Sequence, residues 1–261
     1  MFEKDCLRSS LNLLRFCQAV TGKRFIFTSS VATNMGKDAR RSVEETPIAN
    51  NPALALETGY AQSKFIVERI TQEYARITGS PVQICRVGQL CGHTTLGSWN
   101  TSEMFPIMIA TGLKYLNAMP TFDKQTVDWL PVDICAKAIN TLISTPMSDV
   151  SYALHNLVNP STISWSEFLN ALEHAFDSQF ERIDMREWVA RLQDLSERVD
   201  DVPGAKLLGF FENMVEEEQA TPQFETSETA TLVPRLRDCE AVDGKLLKLY
   251  LGRWRADGFL T

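Results

Sequence analysis

Two groups of residues in this chain have the types and spacing needed for acid–base chemistry. Tyr60-Ala61-Gln62-Ser63-Lys64 opens a run of helical periodicity, which puts a phenol and an ammonium one turn apart on one face. Upstream, the apolar run Phe25-Ile26-Phe27 ends in three hydroxyls, Thr28-Ser29-Ser30. A tyrosine donates a proton near neutral pH only if its pKa falls from ~10, and a neighbouring ammonium lowers it. A hydroxyl at a strand end can hold a carbonyl oxygen beside that phenol. The set suits protonation of the alkoxide that develops when hydride reaches a carbonyl carbon. Ser30 is the expected member, because strand alternation turns only one of Ser29 and Ser30 toward the site. Tyr-x-x-x-Lys alone is a common helix-surface pair; the strands before and after it give it weight.

The elements that must position these groups can be read along the chain. Leu7, Leu11, Leu14 and Cys17 recur at helical spacing and predict a helix over 3–19. Phe25 to Thr28 reads as a strand, and the polar stretch from Asn34 to Thr58, with Pro47 and Pro52, as a loop. A long helix follows, capped by Thr58 and ended by Gly79, with Tyr60, Val67, Ile70, Tyr74 and Ile77 on one face. Residues 81–87 are a second apolar strand, and Gly88 to Asn100 a loop beside the site. Then come a helix over 104–117, an extended Val127 to Leu130, a helix capped by Asp133, and a strand from Tyr152 to Val158. Ser164-Trp165-Ser166-Glu167 is a capping box, Asp184 starts another helix, 215–231 is a loop or hinge, and Asp243 to Arg255 is a last helix. Alternating helices and strands predict an α/β fold, an incomplete Rossmann-like doubly wound parallel sheet with a small helical C-terminal substrate domain. The expected division is a catalytic half over 1–150 and a mainly helical region over 151–261.

Composition narrows the class. The net charge is −7 with both signs spread along the chain, so no nucleic-acid surface is expected. No stretch approaches the ~20 apolar residues of a membrane span. Glu3, Lys4, Asp5 and Arg8 argue against a secretory leader, and a cytoplasmic setting is expected. The six cysteines form no CxxC and only three histidines exist, so no zinc site is expected. Cys17, Cys85 and Cys135 read as small core residues, His155 and His174 as structural, and His93 as solvated. For Asp128, Trp129 and Asp133 a helix cap and a core aromatic outweigh a channel role, while Trp99 stays open between packing and substrate contact. Glu216-Glu217-Glu218 reads as a solvated face.

The chain resembles the terminal thioester reductase domains of fungal nonribosomal peptide synthetases and adenylate-forming reductases, which are extended short-chain dehydrogenase/reductases. The likeness is carried by Phe25 to Ala32, Gly59 to Lys64, Arg86-Val87-Gly88-Gln89 with Gly92, Gly97-Ser98-Trp99-Asn100, and Val127 to Asp133. Asn159-Pro160, Ser164-Trp165 and Trp254 to Leu260 continue it. The resemblance implies NADP(H)-dependent reduction, in secondary metabolism, of an acyl thioester on a carrier protein, or of a small aldehyde. By that likeness Tyr60 is the acid, Ser30 orients the carbonyl, and Lys64 binds ribose and tunes Tyr60. Thr28, Ser29, Val87, Gly88 and Gln89 then lie along the cofactor.

The departure from the family is upstream: no Gly-x-x-Gly-x-x-Gly phosphate turn precedes Phe25. The expectation that follows is a truncated front end, a site completed by an N-terminal fragment or partner, and an apolar edge exposed on Phe25 to Phe27. A silent remnant or interaction module, and a redox-independent Dieckmann-type release cyclase, are the alternative functions.

Overall fold

The three apolar strands of the sequence pair side by side. In the computed structural model β1 (Phe25–Ser30), β2 (Val82–Val87) and β3 (Tyr152–Leu157) form a parallel sheet in that order. Ser30, Val87 and Leu157 come level at its C-terminal edge. The structure describes residues 2–20, 22–147, 150–216 and 221–260, so Glu217 and Glu218 of the acidic run lie outside it. Parallel neighbours need long crossovers; between β1 and β2 the crossover carries helix α2 (Gly59–Thr78). Alternation sends Phe25, Phe27, Val82, Ile84 and Leu154 to one face, where Ile70 and Ala75 of α2 and Leu14 of α1 (Ser9–Ala19) cover them. Cys85 points the other way, its thiol pushed up to about 12 by burial and by neighbouring Cys135 of helix Val132–Ser144. Helices on both faces are what a doubly wound parallel sheet requires.

The outer side of β1 has no partner strand among the described residues. Its apolar side chains are nevertheless covered: Phe25 is buried and Phe27 half-buried. The expected exposure of Phe25 to Phe27 is thus confined to backbone, because their rings turn onto the face that α1 and α2 cover.

Helix α2 begins and ends at the residues expected of it. The Thr58 hydroxyl accepts the Ala61 N–H, and Gly79 takes φ +67°, a left-handed turn that L side chains resist. Its buried face differs from expectation. Ala61, Phe65, Val67, Glu68, Thr71 and Ala75 point inward, whereas Tyr60 and Ile77 are exposed.

The contacts divide the chain into two units, each drawn from three stretches. The first is Met1–Leu90, Ile134–Pro160 and Pro222–Cys239; the second is Cys91–Asp133, Ser161–Thr221 and Glu240–Thr261. This interleaving replaces the single join expected at residue 150, because β3 pairs with β2 while the chain between them belongs elsewhere. In the first unit Gln223–Phe224 pairs with Ser42–Val43, so the stretch expected to be loop supplies a strand and then a short helix, Ser227–Leu232. Glu45 accepts the N–H groups of Asn156, Glu228 and Thr229 and the Thr229 hydroxyl. That hydroxyl is 2.9 Å from His155 Nδ1, and His155 Nε2 is 3.0 Å from Gln83 Nε2. A carboxylate only accepts and an amide nitrogen only donates, so His155 carries its proton on Nδ1. Burial pulls its pKa down to about 4. The histidine is structural, as expected.

The second unit is mainly helical and holds all five tryptophans, each buried. Trp99 packs edge-on to Trp129 at 5.5 Å and to Tyr250 at 5.3 Å, and Trp165 and Trp188 donate to the carbonyls of Pro120 and Ala118. Trp99 and Trp129 are therefore core residues. The capping box at Ser164 is formed, and Asp184 and Asp243 cap their helices. Asp133 lies just inside its helix, and its carboxylate accepts from the backbone N–H and hydroxyl of Thr94. Among the described residues no helix is long and apolar enough to cross a membrane.

Candidate active site

The catalytic candidates all belong to the first unit and gather where β1 and β2 end against α2. Lys64 Nζ donates to the Thr28 carbonyl at 2.8 Å and sits 4.7 Å from the Phe27 ring centroid and 5.6 Å from that of Tyr60. Burial draws the lysine below its usual range, while the charges of Cys6 and Glu68 pull it back up. Tyr60, one turn earlier, is 46 % exposed. A groove of about 440 Å³ opens beside the start of α2, lined by Lys37, Glu57, Thr58, Gly59 and Gln62 among others.

The hydroxyls of β1 point in different directions, as alternation demands. Thr28 is exposed, and Ser30 is buried with its hydroxyl accepting the Ala32 N–H at 3.2 Å, which leaves its own proton available to an acceptor. Ser30 and Tyr60 share no side-chain hydrogen bond among the described residues. Ser29 donates inward to Glu68 Oε1 at 2.5 Å. The hydroxyl expected along the cofactor is therefore committed to the interior, and only the backbone of Ser29 is available for that role.

Glu68 and Arg86 are the residues that sequence reasoning missed. The Arg86 guanidinium holds the Glu68 carboxylate through Nε at 3.1 Å and Nη2 at 2.7 Å, with both side chains excluded from solvent. Thr33 donates to the Ser30 carbonyl at 2.8 Å and lies 3.4 Å from the same carboxylate. The signal was present: Glu68 follows Lys64 by one turn, and Arg86 puts a charge into a mostly apolar strand. At the end of β2, the Gly88 N–H donates to the Leu157 carbonyl at 3.0 Å. A Cβ on Gly88 would come 2.7 Å from Val158 Cγ1, so the backbone here lies closer than a larger residue allows. Gln89 folds back onto the Leu90 carbonyl at 2.7 Å.

The remaining candidates lie in the second unit. His93 Nδ1 accepts the Thr95 N–H, which places its proton on Nε2. The Asp128 carboxyl is pushed up to about 6 by burial, against a hydrogen bond to its own backbone. No group of residues suited to hold a metal ion is present among the described residues. A cofactor ribose suits the first unit: Lys64 gives one donor to Thr28 and an ammonium has three.

An NAD-binding family described as male sterility protein matches residues 3–139, over half of the chain. The chain belongs to this family. It is 28% identical over 264 residues to a carboxylic acid reductase of Neurospora crassa, covering 95% of this chain and 25% of that protein. It is 33% identical over 187 residues to the adenylate-forming reductase Nps10 of Heterobasidion annosum, covering 71% of this chain and 16% of that protein. The chain thus spans a quarter or less of the length of these relatives. Among solved structures it is similar to the terminal R domain of the myxalamid PKS-NRPS pathway, with a TM-score of 0.84, 25% identity, and coverage of 99% of this chain and 65% of that one. The R domain of a nonribosomal peptide synthetase from Mycobacterium tuberculosis shares the fold, with a TM-score of 0.70 at 19% identity, 96% of this chain and 64% of that one. The resemblance to terminal reductase domains is borne out, as is the α/β class with its parallel sheet. The family's NAD-binding character points to a nicotinamide cofactor.

Proposed function

We propose that this chain carries the reducing centre of a thioester reductase-type oxidoreductase. It takes NADP(H) and reduces an acyl thioester held on a carrier protein, or the aldehyde formed from it. The observation that supports this most is Lys64, one turn from Tyr60, fixed to the β1 terminus with donors to spare. When bound, the nicotinamide supplies hydride to the carbonyl carbon. The rest falls to residues of this chain. Lys64 donates to the ribose hydroxyls, and its charge stabilises the phenolate left when Tyr60 gives its proton to the substrate oxygen. Ser30 donates to that same oxygen and orients it. Val87 and Gly88, at the end of β2, would line the side of the site that holds the nicotinamide. For a thioester, the hemithioacetal then loses its carbon–sulfur bond, and the carrier thiol leaves with a proton.

The test is a fluorescence titration of NADPH and of NADH into the purified chain, followed by NADPH consumption with an acyl-pantetheine thioester. Saturable NADPH binding is expected, weakened about tenfold in Lys64→Ala, the loss of one charge-assisted hydrogen bond. Tyr60→Phe should bind as wild type while turnover falls about 10²–10⁴-fold, the usual yield of a general acid. A folded wild type that binds neither nucleotide, alone or with a segment that supplies the phosphate turn, would overturn the proposal.

A further inference from the structure

A second cavity of the first unit takes no part in the reaction drawn above. It holds about 250 Å³ and is lined by the loop over 34–54 and by Arg86 of β2. Small-molecule sites usually run to roughly 300–1,000 Å³, so this one suits a single functional group with its neighbouring carbons and not a nucleotide. Of its polar lining, Arg86 and Asn34 are only 1 % and 7 % exposed, whereas Asp38, Arg40 and Glu44 are exposed and form the mouth. Arg86 turns Nε and Nη2 to Glu68, and its Nη1 has no acceptor among the described residues. Asn34 closes the short turn Val31–Asn34 that follows Ser30. It gives one amide hydrogen to Thr33, which leaves its carbonyl oxygen and a second hydrogen unused among the described residues. A buried donor left without an acceptor is costly, so the inner end of this cavity favours an occupant that supplies one.

Resting on the reading of Ser30, Tyr60 and Lys64 given above, we propose that this cavity is a subsite for a secondary amide of the substrate, carried either by the acyl chain or by the pantetheine arm. Arg86 Nη1 donates to the amide oxygen, and the Asn34 side-chain oxygen accepts the amide N–H, so the buried end offers both halves of the complement. Val43 and Ile48, both buried, line the same cavity and receive the flanking carbons. The charges select a neutral group over an anion. Arg86 is already answered by Glu68 at 2.7 Å, and the mouth sets Asp38 and Glu44 against Arg40 alone. An anion would meet three carboxylates and two guanidiniums, whereas an amide brings no charge to be balanced. The place along the chain fits as well. Four residues of a 3₁₀ turn advance only about 8 Å, so an amide held at Asn34 lies a few bonds from the carbonyl that Ser30 orients.

The test follows the Arg86 side chain by NMR in protein labelled with ¹⁵N-arginine. A guanidinium shielded from solvent and held by a carboxylate exchanges its protons slowly, so Arg86 is the protected side-chain signal that disappears in Arg86→Lys. The probes are pantetheine and N-acetylalanine methylamide, both neutral secondary amides. At least one should shift that signal saturably; a response to pantetheine alone assigns the subsite to the arm, and to the other alone, to the acyl chain. Asn34→Ala removes the acceptor while leaving the pair of Arg86 and Glu68, and should weaken binding up to about tenfold, the worth of one hydrogen bond. Ala49→Leu, at an exposed position of the lining, should block the cavity, and it keeps the test decisive if Asn34→Ala fails to fold. Three results would each overturn the proposal: no shift with either probe in folded protein, which means a cavity filled by water; a shift that survives Ala49→Leu, which means binding elsewhere; or an equal response to acetate, which means an anion site. Neither nucleotide nor turnover enters this readout. A chain that binds the probes but no nucleotide would count against the reductase reading alone, and one that binds nucleotide but neither probe against the amide subsite alone.

Discussion

His155 shows how much a single buried side chain can govern. It is neutral, locked between Gln83 and Thr229, with its pKa drawn from 6.5 to about 4 by burial. A base whose folded-state pKa is depressed adds nothing to the pH dependence of stability above its unfolded value. Below that value the unfolded chain takes up the proton first. Stability is therefore lost as pH falls from 6.5 toward 4, by about 3 kcal/mol in all at 1.36 kcal/mol per pH unit. Urea midpoints at pH 7 and pH 4.5 should fall further apart in wild type than in His155→Gln, and equal differences would show that His155 contributes nothing to the acid sensitivity. Both buried networks escaped the sequence for one physical reason. Glu45 and Glu68 look like surface charges when read singly, and although Arg86 stands out in a mostly apolar strand, its partner shows only when the helix beside that strand is in place.

At the scale of the element the sequence was far more legible. Thr58, Ser164, Asp184 and Asp243 are side chains that satisfy the free N–H groups of the turn following them, a local chemistry needing no distant partner. Each helix starts where those residues said it would. What was not legible is which face each helix buries, since that depends on the surface it meets. Asp133 is the instructive failure: a plausible cap by position, it binds Thr94 of a distant loop. The cap at Thr58 matters for more than stability, because the turn it secures carries Tyr60 two residues on. Thr58→Ala should lower stability by about 1 kcal/mol, the usual value of an N-cap. In the reductase reading it should also reduce turnover more than nucleotide binding, because Tyr60 would fray while Lys64, a turn further in, stays anchored to Thr28. Circular dichroism melts, NADPH titrations and turnover assays of that one variant check both halves; equal losses of turnover and of binding would count against the role given to the cap.

For the whole molecule, the chain path decides behaviour that no single contact does. It passes between the two units five times. The sequence suggested a simple front and back because strand and helix signals are local, whereas the pairing of β2 with β3 spans the stretch given to the second unit. Two stretches of that unit, Cys91–Asp133 and Ser161–Thr221, have both ends held by the first. While the first unit is folded, the closure of each stretch is already made. Were it to unfold, each would have to be closed anew, at about 3 kcal/mol apiece for loops of this length. That is a large fraction of the 5–15 kcal/mol that stabilises a typical domain, so neither unit should survive the loss of the other. The tryptophans make this measurable, since all five report on the second unit and none on the first. Urea transitions followed by tryptophan fluorescence and by far-ultraviolet circular dichroism should coincide. The fluorescence midpoint should also inherit the acid sensitivity of His155, a residue of the unit without tryptophan. A fluorescence transition that ignores His155→Gln between pH 7 and pH 4.5, or that separates from the dichroism curve, would mean that the two units hold themselves up independently.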